Sequence, residues 1–348
     1  MQNRTRRLKK TSFIFILILI LMMLFQTACA SSAGKKEPEL TKSVLSMDTL
    51  AQISVYEKVD EKVVDEAFAY MLQLEENLSR YAPNGDIARI NSAAGVAYVK
   101  VDEETLELIE KCVDYSEQTE GAFDISLGAL IDLWGIATGE NHIASQEEID
   151  EALRHTGYKN IFIDKENSAV MLAKKGVILD LGAVGKGYIS EKVREFLVEK
   201  GVKSAIINFG GNVVLIGTNK GKQPFRIGIQ DPFGQRGEYF AVVSGSKTAL
   251  VSSGSYERYF LGPDGVRYHH IMNPAEGRPA QNGLCQVSIV CDDATLADIL
   301  STAVFVMGEE KGLAYLQTMD GMEAVFVSEE KQVTVTEGLK KDFKMIAK

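Results

Sequence analysis

Residues 179–193 read LDLGAVGKGYISEKV: an apolar extended stretch, a glycine-rich turn with one lysine, and a helix-forming run. In a doubly wound sheet such a unit holds nucleotide phosphates, so the fold turns on whether this is one. Gly182-Ala183-Val184-Gly185-Lys186-Gly187 lacks the glycine interval of a P-loop and has no Ser or Thr after the lysine. It is not G-x-G-x-x-G either. What remains is physical: glycines let backbone N–H groups approach an anion, the next helix presents its N-terminus, and Lys186 adds a full charge. A tight strand-to-helix turn with a solvated lysine also fits.

The surrounding pattern decides the class. Val64, Ala67, Phe68, Met71, Leu74 and Leu78 recur at helical spacing, and Asp102 is placed to cap a second helix carrying Leu106, Ile109 and Val113. Ser145 with Glu148 forms a capping box that opens a third helix, expected to stop at Gly157. Strands are expected over 161–163, 170–172, 177–181, 205–209, 213–216, 226–230 and 239–243, with a hairpin of 256–261 and 266–271 across Gly262-Pro263-Asp264-Gly265. Neighbouring strands joined by short connections predict α+β, with mixed, largely antiparallel sheets packed with helices.

The N-terminus reads as an export signal. Arg4, Arg6, Arg7, Lys9 and Lys10 precede an apolar run of 13 residues, Phe13 to Phe25, short for a spanning helix and suited to a signal-peptide core. Gln26-Thr27-Ala28-Cys29 resembles a lipobox, with Gln26 where leucine is usual; Ala28-Cys29-Ala30 also fits ordinary cleavage after Ala30. Residues 1–28 are thus expected to be signal peptide, 29–41 a lipid-anchored tether beginning at Cys29, and 42–340 the folded body. Localisation follows: the extracytoplasmic face of the cell membrane. The segment 1–28 holds five basic and no acidic side chains, so its removal takes the net charge from −10 to −15. Such a body repels nucleic acid and anionic lipid, and a phosphate ligand must be met by local positive charge. Cys112, Cys285 and Cys291 show no C-x-x-C, and along one strand Cys285 and Cys291 would lie about 20 Å apart, so buried thiols are expected.

Two further patterns carry chemistry. In ATLADILSTAVFVM, residues 294–307, Asp298 and Thr302 stand four apart on one helix face. A carboxylate beside a hydroxyl suits Mg²⁺ that takes its other ligands from water and phosphate, although Asp298 taken alone reads more readily as a helix surface residue. His269 and His270 are adjacent at a hairpin end and, in a strand, face opposite ways, so at most one can serve a given site as general base. His142 and His155 have no accompanying pattern.

In this order the blocks resemble the ApbE family of flavin transferases, which move FMN from FAD onto a threonine or serine of another protein. The likeness spans about Val44 to Thr336. It rests on Met47-Asp48-Thr49; Ser79-Arg80-Tyr81-Ala82-Pro83 with Asn91; Gly121-Ala122-Phe123-Asp124 and Leu133-Trp134-Gly135; and the opening stretch. Asn208-Phe209-Gly210-Gly211-Asn212, Ile229-Gln230-Asp231-Pro232, Ser252 to Arg258, His270 to Pro274, and Ala297-Asp298 with Ser301-Thr302 complete it. Asp48 replaces the glycine usual in Met-Gly-Thr, Ile125-Ser126 the usual Pro-Thr, and Asn273 a frequent aspartate.

The resemblance implies an ApbE-like, T-fold-related architecture. It implies FAD contacts from Met47, Tyr81, Ala122, Phe123, Asp124, Asp180, Lys186 and His270, and Mg²⁺ held by the Ala183 backbone oxygen with Asp298 and Thr302. Lys186 and His270 would be the catalytic pair, stabilising departing AMP and deprotonating the acceptor hydroxyl. The partners implied are FAD, an exported or membrane redox protein carrying the acceptor, and the membrane through the lipid. Two alternatives stay open: an FAD pyrophosphatase giving free FMN and AMP, and a flavin-binding lipoprotein without chemistry.

Overall fold

In the central sheet the spatial order of eight strands follows their order in the chain. They are β1 (Leu40–Ser46), β2 (Thr49–Val55), β3 (Ser204–Phe209), β4 (Asn212–Gly217), β5 (Ala249–Gly254), β6 (Leu284–Cys291), β7 (Glu323–Ser328) and β8 (Val333–Val335). Each neighbouring pair is antiparallel. The computed structural model describes residues 37–346 except 221, 246, 247 and 264. The expected signal peptide, Cys29 and most of the tether therefore lie outside the described residues. The first strand begins at Leu40, within the segment read as tether, and Phe343–Met345, beyond the expected boundary at 340, pairs with Tyr239–Ser244. No helix among the described residues is long and apolar enough to cross a membrane.

Helices α1 (Glu61–Leu78), α2 (Gly185–Glu199) and α3 (Ala294–Met307) cover one face of this sheet. The six stripe residues of α1 are all buried there. Alternation divides each strand: Ala205, Ile207 and Phe209 of β3 and Val214 and Ile216 of β4 join the helices in the main core. On the opposite face Leu250, Val290, Val325 and Val327 pack against Ile229, Phe240, Ala241 and Val243 of a second, three-stranded sheet. A separate apolar cluster around Trp134 seats the hairpin Tyr259–Leu261 and Arg267–His269 through Tyr268, whose ring stacks on Trp134 at 5.5 Å.

The expected strand over 177–181 does not form; this part of the chain has only an isolated parallel bridge from Ile178 to Leu127. Val177, Leu179 and Leu181 are buried alternately, as in a strand, but their backbone is satisfied differently. Asn91 clasps Leu179, accepting from its N–H at 2.7 Å and donating to its carbonyl at 3.0 Å, and Asp180 N–H donates to the Ile125 carbonyl at 2.8 Å. The third helix ends at Leu153, short of Gly157, with its capping box formed. Asp102 stands at its N-cap position without a capping bond, accepting instead from Asn77.

Candidate active site

The β1–β2 and β3–β4 turns, the last residues of β5 and the first of β6 lie at one end of the sheet. At the first turn Met47 and Asp48 both have positive φ, 51° and 56°, the geometry of a two-residue type I′ hairpin. Aspartate tolerates that region, which explains why Asp48 can stand where glycine is usual in the family. Methionine tolerates it poorly, and Glu75 holds it there, accepting from Met47 N–H at 2.7 Å and from the Ser46 hydroxyl. Next to it, Gly210 (φ 64°) leaves no room for a side chain, since a Cβ would lie 2.7 Å from Thr49 Oγ1.

Onto this end α3 delivers Asp298, 5 % exposed. Its Oδ2 accepts the Gly187 N–H at 2.7 Å, so a carboxylate from one helix caps the first turn of another. Burial pushes the Asp298 pKa up, against the opposing pull of the Lys186 charge and the Gly187 N–H. Asn212, at the start of β4 and on the same side, is 3 % exposed, and its side-chain amide, like the Gly187 N–H, pulls the Asp298 pKa down against burial. Thr302 lies one turn on from Asp298, 3.3 Å from Ser253 Oγ.

The two histidines divide as strand geometry requires. His269 is 3 % exposed, packs edge-on against Phe305, donates from Nε2 to the Ala280 carbonyl at 2.8 Å and accepts at Nδ1 from Ile271 N–H. Burial pushes its pKa down to about 4. His270 is half-buried, and Nδ1 faces the Arg258 carbonyl at 3.2 Å, which places the proton on Nδ1 and leaves Nε2 as an acceptor. Burial first, then the neighbouring His269 and the charges of Lys186 and Arg258, push its pKa down to about 3, so it is neutral at pH 7. Lys186 therefore lies within electrostatic reach of both Asp298 and His270.

His269 sets a pH dependence of stability. Its folded pKa lies below the ordinary value, so the unfolded chain binds more protons as pH falls through about 6.5, and stability is lost on the acid side. Between pH 7.5 and 5 the loss should be about 2 kcal/mol. Urea unfolding of wild type and His269→Gln at the two pH values checks this; an equal pH response in both would refute it.

A second group lies beside the Asn91 clasp. Arg80, with 6 % of its side chain exposed, places Nε 2.8 Å from Asp180 and both Nη atoms on Asp132, and its guanidinium lies 4.7 Å from the ring of exposed Tyr81. The Asp180 carboxylate also accepts Gly182 N–H at 2.8 Å, tying the group to the glycine turn. Of the residues implied as FAD contacts here, Ala122 is half-buried while the Phe123 side chain lies in the core at 1 % exposure. Both Asp124 oxygens accept backbone N–H groups, of Ser126 and Tyr158. Phe123 and Asp124 thus shape the loop, the Phe123 ring from the core and Asp124 through its two backbone partners. An open cleft of about 550 Å³ is lined by Asp48, residues 136–139, Asn141 and residues 257–259, a volume in the range of cofactor sites. Arg80, Asn212, Arg258 and Ser253 stood inside quoted blocks without an assigned role; their parts depend on partners far away in the chain.

The expected magnesium set contains one carboxylate, and among the described residues no three His, Cys, Asp or Glu side chains group as metal ligands. A hard-cation site completed by a backbone oxygen, a hydroxyl and phosphate needs no such group. The buried Asp298 carboxylate with no cationic side chain bonded to it fits such an ion.

Residues 47–326 match the model of the ApbE family. The FAD:protein FMN transferase of Treponema pallidum (strain Nichols) is 34 % identical over 318 residues, covering 86 % of this chain and 88 % of the relative. That of Klebsiella pneumoniae (strain 342) is 32 % identical, covering 80 % and 85 %. The crystal structure of the ApbE protein from Thermotoga maritima superposes with a TM-score of 0.80 at 35 % identity, covering 87 % of this chain and 98 % of that one. The family match and these relatives make the chain a transferase. The chain belongs to the ApbE family.

Proposed function

We propose that this chain carries out the reaction for which its curated relatives are named, transferring FMN from FAD to another protein, with Mg²⁺ as cofactor and a Thr or Ser side chain as acceptor. The observation that carries the reading is the contact of the α2 N-terminus with Asp298 through the Gly187 N–H, together with His270 held on the carbonyl of Arg258, a residue that lines the cleft. FAD would lie with its pyrophosphate at the N-terminus of α2, where backbone N–H groups and Lys186 offset its charge. Met47, Tyr81, Ala122, the loop shaped by Phe123 and Asp124, and Asp180 would line the rest. Ala183 O, Asp298 and Thr302 would hold Mg²⁺, which when bound draws electron density from the phosphate oxygens.

His270 Nε2 accepts the proton of the acceptor hydroxyl, whose oxygen bonds to the phosphorus on the flavin side. The bond from that phosphorus to the bridging oxygen breaks, and AMP leaves with the bridging oxygen and its electron pair. Lys186 stabilises the charge growing on AMP. The acceptor then carries FMN through a phosphoester. An imidazole with a pKa of about 3 is a weak base, and the anionic pyrophosphate beside it would raise that value when FAD is bound.

Acylation of Cys29 would tether the body at the extracytoplasmic face of the membrane, where exported redox proteins meet it. Loss of palmitate labelling in Cys29→Ser would support this, and equal labelling would end it.

The test of function mixes the protein with FAD, Mg²⁺ and acceptors from the same membrane and looks for covalent flavin fluorescence on a denaturing gel. A fluorescent acceptor band with equimolar AMP is expected; AMP with free FMN and no band would make the chain a hydrolase. His270→Ala should slow transfer about 10²- to 10⁴-fold with FAD binding retained, and unchanged rates would remove His270 from the mechanism.

A further inference from the structure

Hydroxyl directions around α3 can be worked out because each Ser or Thr has a single proton to donate. Ser301 Oγ donates to the Asp298 carbonyl at 2.9 Å, so its proton is committed. Ser253 Oγ lies 2.8 Å from Ser301 Oγ and must be the donor of that bond. With the Ser253 proton used, its 3.3 Å contact with Thr302 Oγ1 can only be donated by Thr302. The Thr302 proton thus points to β5, and both its lone pairs stay open.

That orientation is not the local default. Several other hydroxyls turn back to their own helix, Ser116 to the Cys112 carbonyl at 2.7 Å, the C-cap Thr119 to Tyr115 at 2.6 Å and Ser190 to Lys186 at 2.6 Å, while the buried Thr105 Oγ1 finds no partner. Thr302 is held off this pattern by Ser253.

We propose that Ser253 is a positioning residue that acts through Thr302, taking its proton so that a lone pair of Oγ1 is presented beside Asp298 to a hard cation. A neutral threonine ligand keeps its proton, and an acceptor placed behind it both fixes the rotor and strengthens the oxygen as a donor of electron density. The inference rests on the magnesium reading above, and the experiment separates the two.

Calorimetric titration of Mg²⁺ into the protein saturated with FAD, without acceptor, is compared for wild type and five variants. Ser253→Ala should weaken Mg²⁺ binding about 10- to 100-fold, and Ser253→Thr, which keeps the hydroxyl, should stay within about threefold of wild type. On a Thr302→Val background, Ser253→Ala should cost nothing more. A Ser253→Ala affinity equal to wild type, or a full further loss on the Thr302→Val background, overturns the proposal; the second result would make Ser253 a ligand in its own right. An Asp298→Ala protein that binds Mg²⁺ like wild type would instead remove the magnesium reading beneath it. A second readout is the Mg²⁺ concentration giving half-maximal transfer, which should rise for Ser253→Ala while the rate at saturating Mg²⁺ falls much less.

Discussion

Asp298→Asn is expected to lose FMN transfer by at least about 10³-fold while melting at the same temperature as wild type or higher. The split follows from the position of the carboxylate. Asparagine keeps an oxygen that can accept the Gly187 N–H, now received by Oδ2 at 2.7 Å, so the contact between α2 and α3 survives. What disappears is the negative charge, which burial disfavours; burial is also what holds the pKa above the ordinary carboxylate value. A buried ionised group without a bonded cation costs the fold free energy, so neutralising it should not destabilise. A cation and the charge on departing AMP both depend on that carboxylate being ionised, and the activity should fall with it. Gel fluorescence of the flavinylated acceptor and thermal unfolding by circular dichroism give the two readings. Activity within tenfold of wild type would show that no cation is held at this position, and a large drop in melting temperature would make Asp298 a structural group.

The same carboxylate shows what the sequence could convey. Local periodicity carried well: the α1 stripe from Val64 to Leu78, the Ser145 capping box and the strand at Arg226–Gln230 form as their spacing predicts. The Asp298 and Thr302 pair was visible because residues four apart share a helix face. The segment around Leu179 misled because alternating burial marks any extended buried chain, whereas a strand needs a partner, and this one is held by Asn91, 88 residues away. Asn212 and Ser253 were opaque for a related reason. Their polar atoms acquire a meaning only when β4 and β5 are laid against α3, which no local pattern announces. Asp124 shows the converse: the family resemblance implied it as an FAD contact, while its side chain is engaged with the N–H groups of Ser126 and Tyr158.

Gly187→Ala should be the most damaging small substitution in the glycine turn. The glycine is not required by backbone conformation, since Gly187 is helical and absent from the positive-φ positions. It is required by space: a Cβ there would lie 2.4 Å from the Ala294 carbonyl oxygen and 2.5 Å from Asp298 Cβ. One obstacle is backbone and the other is the first side-chain atom of a buried residue, so neither can yield by a rotamer change, and α2 must move away from α3. Overpacking of this kind costs about 1–3 kcal/mol, and here it also draws Asp298 off the Gly187 N–H. The expected result is a lowered melting temperature together with at least about a hundredfold loss of transfer, because reacting groups displaced by about 1 Å lose rate on that scale. Gly185→Ala is the control, two residues earlier in the same turn, where a Cβ meets nothing within 4 Å. Alanine is the better helix former by about 1 kcal/mol, so that variant should be as stable as wild type or more so. Should the two alanine variants melt and react alike, the close approach of α2 to α3 would not be what the glycine provides, and anion contact by the turn itself would become the better account of why glycine stands at both positions.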